Sequence, residues 1–222
     1  MKLFENKELK IERFISGSLS NNSYLIISKS SNNCIIVDAP DNPRELINKI
    51  PRNRIDKSKN LEKIKILITH GHYDHIEGLE LISERIGALD VNIGFVDANY
   101  LNYQGNVIRL RNQKEINNSD IHLKLIYTPG HTEGSICYYA DFKEKKFLFS
   151  GDTLFPGGPG KTTDSKNFKR IYNSIKINIY SLPKDTIILP GHGESITIEE
   201  SIKEFNNFKY KNYIFGDISW KN

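Results

Sequence analysis

Six histidines occur in the 222 residues, and three of them, His70, His72 and His75, fall within the hexapeptide HGHYDH, with Asp74 beside the last. In an extended segment side chains alternate with a period of two. His70, His72 and Asp74 are therefore expected to project one way until the chain turns into a helix and redirects His75. Such a loop can feed two adjacent metal sites. Imidazole nitrogen and carboxylate oxygen suit divalent zinc, manganese or iron, and the absence of cysteine from the cluster argues against a structural zinc finger.

Three more residues of ligand type occupy one kind of place, the turn just after an expected strand: His131 in YTPGHTEGS, Asp152 in LFSGDTLF and His192 in ILPGHGES. A shared site needs ligands gathered on loops at one edge of stacked sheets. His122 lies inside the run IHLKLIYT with no glycine turn, and it is assigned no role.

The elements that must position these residues are legible as alternating β-rich runs and helical stretches. KIERFI, SYLIIS and CIIVDAP, separated by Asn, Ser and Gly, read as an antiparallel meander. NPRELINKI reads as a helix with Pro43 in its first turn, and residues 63–69 as a strand running into the histidine cluster. IEGLELISERIG then reads as a helix closed by Gly87. Further strands are expected at VNIGFV, IHLKLIYT, SICYYA, KFLFS and DTIILP, with a helix over about 167–180. A closing helix has Thr197 as N-cap and Glu200 three residues on, the capping-box pattern.

With 38% hydrophobic, 10% aromatic and 26% charged residues the composition is that of a globular chain, expected to form one domain over 1–222. No apolar run reaches the roughly 18 residues of a membrane span, and charges interrupt the amino terminus before a signal-peptide core can form. Cys34 and Cys137 each sit in an apolar run and read as buried, reduced thiols. The expectation is a soluble, cytoplasmic protein with no membrane partner. The net charge of +4 comes from 31 basic and 27 acidic residues scattered along the chain, so no nucleic-acid partner is expected.

The run His70-Gly71-His72-Tyr73-Asp74-His75, followed in order by PGHT at His131, SGDTLF at Asp152 and PGHG at His192, resembles the signature of the metallo-β-lactamase superfamily. The resemblance covers nearly the whole chain. It implies an α/β (α+β) fold, a four-layer αββα sandwich of two mixed sheets with helices on the outer faces. It implies that His70, His72 and His131 hold one metal, that Asp74, His75 and His192 hold the second, and that Asp152 bridges them. Asp38 in IVDAP matches the family's early strand-end aspartate, which orients the metal loop from behind.

The commonest zinc β-lactamases carry cysteine where Asp152 stands, so antibiotic hydrolysis is disfavoured. GDTLFPGG and its spacing to PGHG look most like glyoxalase II, the hydroxyacylglutathione thioesterase. That enzyme binds glutathione through a carboxy-terminal helical domain, whereas 30 residues follow His192 here, which resembles the shorter glyoxalase II-like hydrolases. The implied reaction is hydrolysis of a small-molecule thioester or ester by a hydroxide shared between two divalent metals, zinc before iron or manganese. Metals about 3.5–4 Å apart lower the pKa of a bound water toward about 7 without a side-chain nucleophile. Asp74 and Asp152 are the expected catalytic carboxylates.

GGPGKT, 157–162, ends like a phosphate-binding loop, but that pattern needs glycine where Phe155 stands. A glycine-rich loop beside the metals is the better reading, with Lys161 placed to meet a substrate carboxylate. Two rival readings keep much of the signature. A single iron on His70, His131 and Asp152 would make a persulfide dioxygenase. RNA-processing nucleases of the same superfamily rank third, because they add an RNA-clamping arm or inserted domain.

Overall fold

A computed structural model describes residues 1–51, 64–87 and 89–221. The chain opens with four strands, β1 (Lys2–Glu5), β2 (Leu9–Ser16), β3 (Asn21–Ser28) and β4 (Cys34–Val37). They pair antiparallel in succession, the expected meander with one more strand at its start. Beyond β4 the direction changes. Helix α1 (Arg44–Lys49) precedes β5 (Ile64–Leu67), and α2 (Leu79–Ile86) joins β5 to β6 (Val91–Gly94). Strands β4, β5, β6 and β7 (Val107–Leu110) run parallel. Parallel neighbours require crossovers, and these crossovers put the helices on one face of a seven-stranded sheet.

The second sheet holds β8 (Glu115–Asn118), β9 (Ile121–Tyr127), β10 (Ile136–Asp141) and β11 (Lys146–Gly151), with β14 (Ile187–Pro190) and β15 (Ile196–Thr197). Its order is β15-β14-β11-β10-β9-β8, and β14 lies parallel to β11. Between β11 and β14 come the short hairpin β12 (Leu154–Phe155) and β13 (Gly158–Pro159), then α3 (Ser165–Ser174). Helix α4 (Ile198–Asn207) follows β15.

Side-chain alternation decides the layers. On β3, Leu25 and Ile27 face Leu46 of α1 and Ile82 of α2, while Tyr24 and Ile26 face the other sheet. On β10, Ile136 and Tyr138 meet them across the interior, while Cys137 and Tyr139 pack under Phe168 and Ile171 of α3 and Ile198 of α4. Three apolar interfaces separate four layers, which is the expected αββα sandwich.

Local differences have local causes. The turn after β5 begins at Tyr73, as a single 3₁₀ turn over Tyr73–His75, so the extended segment ends at His72 and not at Asp74. Helix α2 starts three residues later than expected, because the Gly78 N–H donates to Ala39 O at 2.8 Å. Any Cβ at 78 would strike the Pro40 carbonyl, and this crossing pins the turn before the helix can begin. The helix expected over 167–180 is α3 followed by a wider π turn, Ile175–Ile179. The Thr197/Glu200 capping box of α4 is formed. Lys63, first residue of the strand expected at 63–69, lies outside the described residues.

Both cysteines are fully buried and neither forms a disulfide. Cys34→Ala is expected to cost about 1 kcal/mol of stability with turnover unchanged, as measured by urea denaturation and steady-state kinetics. Loss of activity with the fold intact would relocate the site. Among the described residues no helix is long and apolar enough to cross a membrane.

Candidate metal centre

The residues singled out for ligand chemistry converge on one rim of the sandwich, each just beyond the carboxyl end of a strand. His70, His72, Asp74 and His75 follow β5, His131 follows β9, Asp152 follows β11 and His192 follows β14. His72 Nδ1 lies 3.1 Å from His70 Nε2 and 2.9 Å from His131 Nε2. Across from them His192 Nε2 lies 3.3 Å from Asp74 Oδ2, and His75 Nε2 lies 3.6 Å from the same oxygen. Asp152 stands between the two groups. Its Oδ1 is 3.3 Å from His75 Nε2, and its Oδ2 is 3.6 Å from His131 Nε2 and 3.6 Å from His192 Nε2.

The outer nitrogens fix which lone pairs face inward. Asp38 Oδ2 accepts from the Thr69 hydroxyl at 2.9 Å, so Thr69 Oγ1, 3.0 Å from His70 Nδ1, is left to accept from that ring. His75 Nδ1 donates to Asp38 Oδ2 at 2.9 Å. His131 Nδ1 donates to the Lys161 carbonyl at 2.8 Å, and His192 Nδ1 to the Leu19 carbonyl at 3.1 Å. In each ring, when neutral, Nε2 is then an acceptor turned inward; those of His75 and His192 lie 3.4 and 3.3 Å from the Asn21 Nδ2 donor, whereas those of His70 and His131 face His72 Nδ1. A proton on His72 Nδ1 can serve one of its two contacts and leaves lone pairs opposed in the other. Asp152 Oδ1 is buried without a hydrogen-bond partner. Acceptors packed against acceptors are costly unless a cation lies among them. The donor set fits divalent ions, and three groups of residues can hold one: His70/His72/His131, His70/His75/Asp152 and Asp74/His75/His192.

Glycine keeps the space open. A Cβ on Gly191 would fall on Asp152 Oδ1 and near His75 Cε1, and one on Gly160 would fall on the Asp152 carbonyl. Electrostatics prepare His70 and His131 for ligation and hold protons on His75 and His192 that an ion would have to displace. Burial, then neighbouring His75, holds the His70 imidazole well below its ordinary pKa, and burial lowers His131 against the opposing pull of Asp152. Both rings are neutral at pH 7. Burial opposes charge on His75 as well, but Asp38 and Asp152 outweigh it and raise the ring to about 10. The hydrogen bond to Asp74 raises His192. Asp74 and Asp152 stay below the usual carboxylate range in spite of burial, through His192 and Asn21 for the first and His75 for the second.

Asp38 sits where its resemblance placed it. It adopts φ 59° at the end of β4, accepts from the Thr69 N–H at 2.8 Å and grips His75. Asp38→Asn is expected to lower metal affinity about 10–100-fold, measured by competition with a chromophoric chelator. Unchanged affinity would make Asp38 a structural residue alone. Lys161 is exposed, and the contact it makes at the centre is through its carbonyl. Its hairpin β12–β13 turns through Gly157 and Gly158 at φ 96° and 148°, a β structure rather than a phosphate loop. His122 is remote and bonds to Asn117 Oδ1 at 2.7 Å.

Two polar residues at this rim carry no sequence signal. Asn21, 1% exposed, donates from Nδ2 to Asp74 Oδ2 at 2.8 Å. Asp97 is fully buried behind the His70 and His131 loops. Asn21 is one of four consecutive polar residues, Ser20 to Ser23, and Asp97 stands alone between Val96 and Ala98; only tertiary closure shows the neighbours of either.

Residues 17–192 match the family model of the metallo-beta-lactamase superfamily, and the chain belongs to that superfamily of hydrolases. A hydroxyacylglutathione hydrolase of Buchnera aphidicola subsp. Schizaphis graminum is 38% identical over 178 residues, 78% of this chain and 63% of that protein. The probable metallo-hydrolase YqgX of Bacillus subtilis is 30% identical over 203 residues, 83% of this chain and 90% of its own. The chain thus spans under two thirds of the Buchnera protein and most of YqgX. In fold it is similar to the BLEG-1 B3 metallo-beta-lactamase, with TM-score 0.72 at 24% identity over 87% of this chain and 96% of that one.

Proposed function

We propose that this protein is a cytoplasmic thioester hydrolase that works with two divalent ions, zinc before iron or manganese. His70, His72 and His131 would hold one ion, Asp74, His75 and His192 the other, and Asp152 would serve both. The observation that carries the reading is Asp152: Oδ1 faces His75 and Oδ2 faces both His131 and His192. A carboxylate so placed is shared by both groups.

When bound, the ions supply Lewis acidity and a water acidified to near-neutral pKa. The chain's own residues do the rest. Asn21 donates to Asp74 Oδ2 and so orients the carboxylate that would take a proton from the attacking water and return it to the departing thiolate. Asp38, the Lys161 carbonyl and the Leu19 carbonyl hold the rings in the tautomer that keeps Nε2 free. Leu19, Tyr73 and Tyr100 are 51%, 56% and 65% exposed and lie beside His192, within the histidine loop and against Gly71. They offer apolar surface to an acyl group or thiol carrier. Hydroxyacylglutathione, for which the 38% identical relative is named, is a thioester of this kind.

The test is metal analysis of the purified protein together with a panel of small acyl thioesters on glutathione and on neutral thiols. Two metals per chain and thioester cleavage are expected. One iron per chain with oxygen uptake would establish the dioxygenase reading, and cleavage of RNA without thioesterase activity the nuclease reading.

If Lys161 meets a carboxylate of the thiol carrier, the pair is exposed and contributes about 0.2–1 kcal/mol. Lys161→Ala should then raise KM for the glutathione thioester roughly 1.4- to fivefold with kcat unchanged, and leave a neutral carrier unaffected. An equal change for both carriers would remove Lys161 from substrate binding.

A further inference from the structure

We propose that Asp97 is the positioning residue of the His70/His72/His131 group, a single buried carboxylate that sets the spacing of the two loops from which those rings project. The inference rests on the metal-site reading above and adds to it a residue outside the ligand set.

Asp97 opens a 3₁₀ turn, Asp97–Tyr100, just beyond β6, and its side chain lies wholly inside the protein. Its Oδ2 accepts from the Gly71 N–H at 2.8 Å and from the Thr132 hydroxyl at 2.6 Å. Its Oδ1 accepts from the Gly134 N–H at 2.8 Å. Gly71 is the residue between His70 and His72, and Thr132 follows His131. The three donors therefore come from two loops 59 residues apart along the chain, as measured by the contact of His131 with His72, and one carboxylate fixes both.

The surrounding backbone is shaped to admit this group. A Cβ on Gly134 would lie 2.8 Å from Asp97 Cβ, and one on Gly71 would lie 2.9 Å from the Asp97 carbonyl oxygen. Side chains at either position would push the loops off the carboxylate. Imidazole ligation tolerates little displacement, since metal–nitrogen distances sit near 2.0–2.1 Å. A buried acid used merely to stabilise the fold has no reason to take all its side-chain bonds from the two ligand loops. Partners behind a ligand shell commonly set metal affinity by one to two decades.

The experiment is zinc titration of metal-free protein against a competing chromophoric chelator, with the melting temperature of the metal-free form recorded beside it. In the wild type two ions bind. Asp97→Ala is expected to weaken one binding event about 10–100-fold and to leave the other within a factor of about three. Asp97→Asn should recover part of the loss, because its amide oxygen still accepts from Gly134 while its NH₂ leaves the Gly71 N–H without an acceptor. On a His192→Ala background, where the retained ion sits at His70/His72/His131, Asp97→Ala should weaken that ion. Should Asp97→Ala fail to fold, Thr132→Val removes one bond of the three and should weaken the same event by a smaller factor.

Equal weakening of both ions, or a lowered melting temperature with both affinities unchanged, overturns the proposal and makes Asp97 a structural residue. A wild type that binds two ions while every Asp97 variant binds them equally well overturns this inference alone. A wild type that takes up no zinc overturns the metal-site reading first, and this inference with it.

Discussion

Asp152→Ala is expected to abolish turnover and to lower the metal content below two ions per chain. The carboxylate faces His75 through one oxygen and His131 and His192 through the other, so its removal takes an anionic ligand from both candidate ions at once. The other carboxylate of the centre, Asp74, is engaged by Asn21 and lies toward His75 and His192, and cannot cover the His131 side as well. Lewis-acid stabilisation is worth several kcal/mol, and at about 1.4 kcal/mol per decade its loss lowers kcat at least about a thousandfold. The metal-free protein should still fold, because Asp152 belongs to the rim and not to the apolar layers. The measurement is kcat beside elemental analysis of the same sample. A variant that keeps two ions and more than a few per cent of the wild-type rate would remove Asp152 from the centre.

Stripping the metal is expected to lower the melting temperature by about 8–16 °C. An ion held at a thousand times its dissociation constant contributes about 4.1 kcal/mol, and in a chain of this size 1 kcal/mol corresponds to about 2–4 °C. The effect should depend on pH with a definite sign. In the metal-free protein His75 carries a proton up to about pH 10, since Asp38 and Asp152 overcome its burial. That raised pKa stabilises the metal-free fold fully below the unfolded value of about 6.5, and the stabilisation is lost as pH rises through about 10. His192 is shifted the same way. An entering ion must displace these protons, so metal affinity rises with pH, and the gap between loaded and stripped forms widens from pH 6.5 upward. Differential scanning fluorimetry of both forms across pH 6–10 measures it. A gap that narrows with rising pH would mean that His75 is not a ligand.

The candidate ligands were legible because their chemistry is concentrated. Three histidines and an aspartate in six positions have no structural explanation, and His131, Asp152 and His192 each repeat one context, a strand running into a glycine turn. The strands were legible from their runs, since β3, β4 and β10 read as continuous β-rich stretches, but their stacking into a sandwich followed only from the family resemblance, because runs buried on both faces do not show which layer each face meets. Strands β1, β7 and β8 escaped notice because each has four residues and a partly exposed pattern, too short to show a period. The start of α2 was misplaced by the Gly78 crossing at Ala39, a contact between segments about 40 residues apart. Asp97 and Asn21 were missed for a related reason. A buried polar residue acquires its meaning from partners brought by distant segments, and nothing near Asp97 in sequence announces Gly71 or Gly134.

The reading of the centre stands or falls on where ions bind. Crystals grown from zinc-loaded protein, with anomalous diffraction recorded on both sides of the zinc edge, would show it directly. Two peaks about 3.5–4 Å apart are expected, one against His70, His72 and His131 and the other against Asp74, His75 and His192, with Asp152 touching both. A single peak with His75 and His192 turned away from it, or peaks elsewhere on the surface, would contradict the two-ion centre.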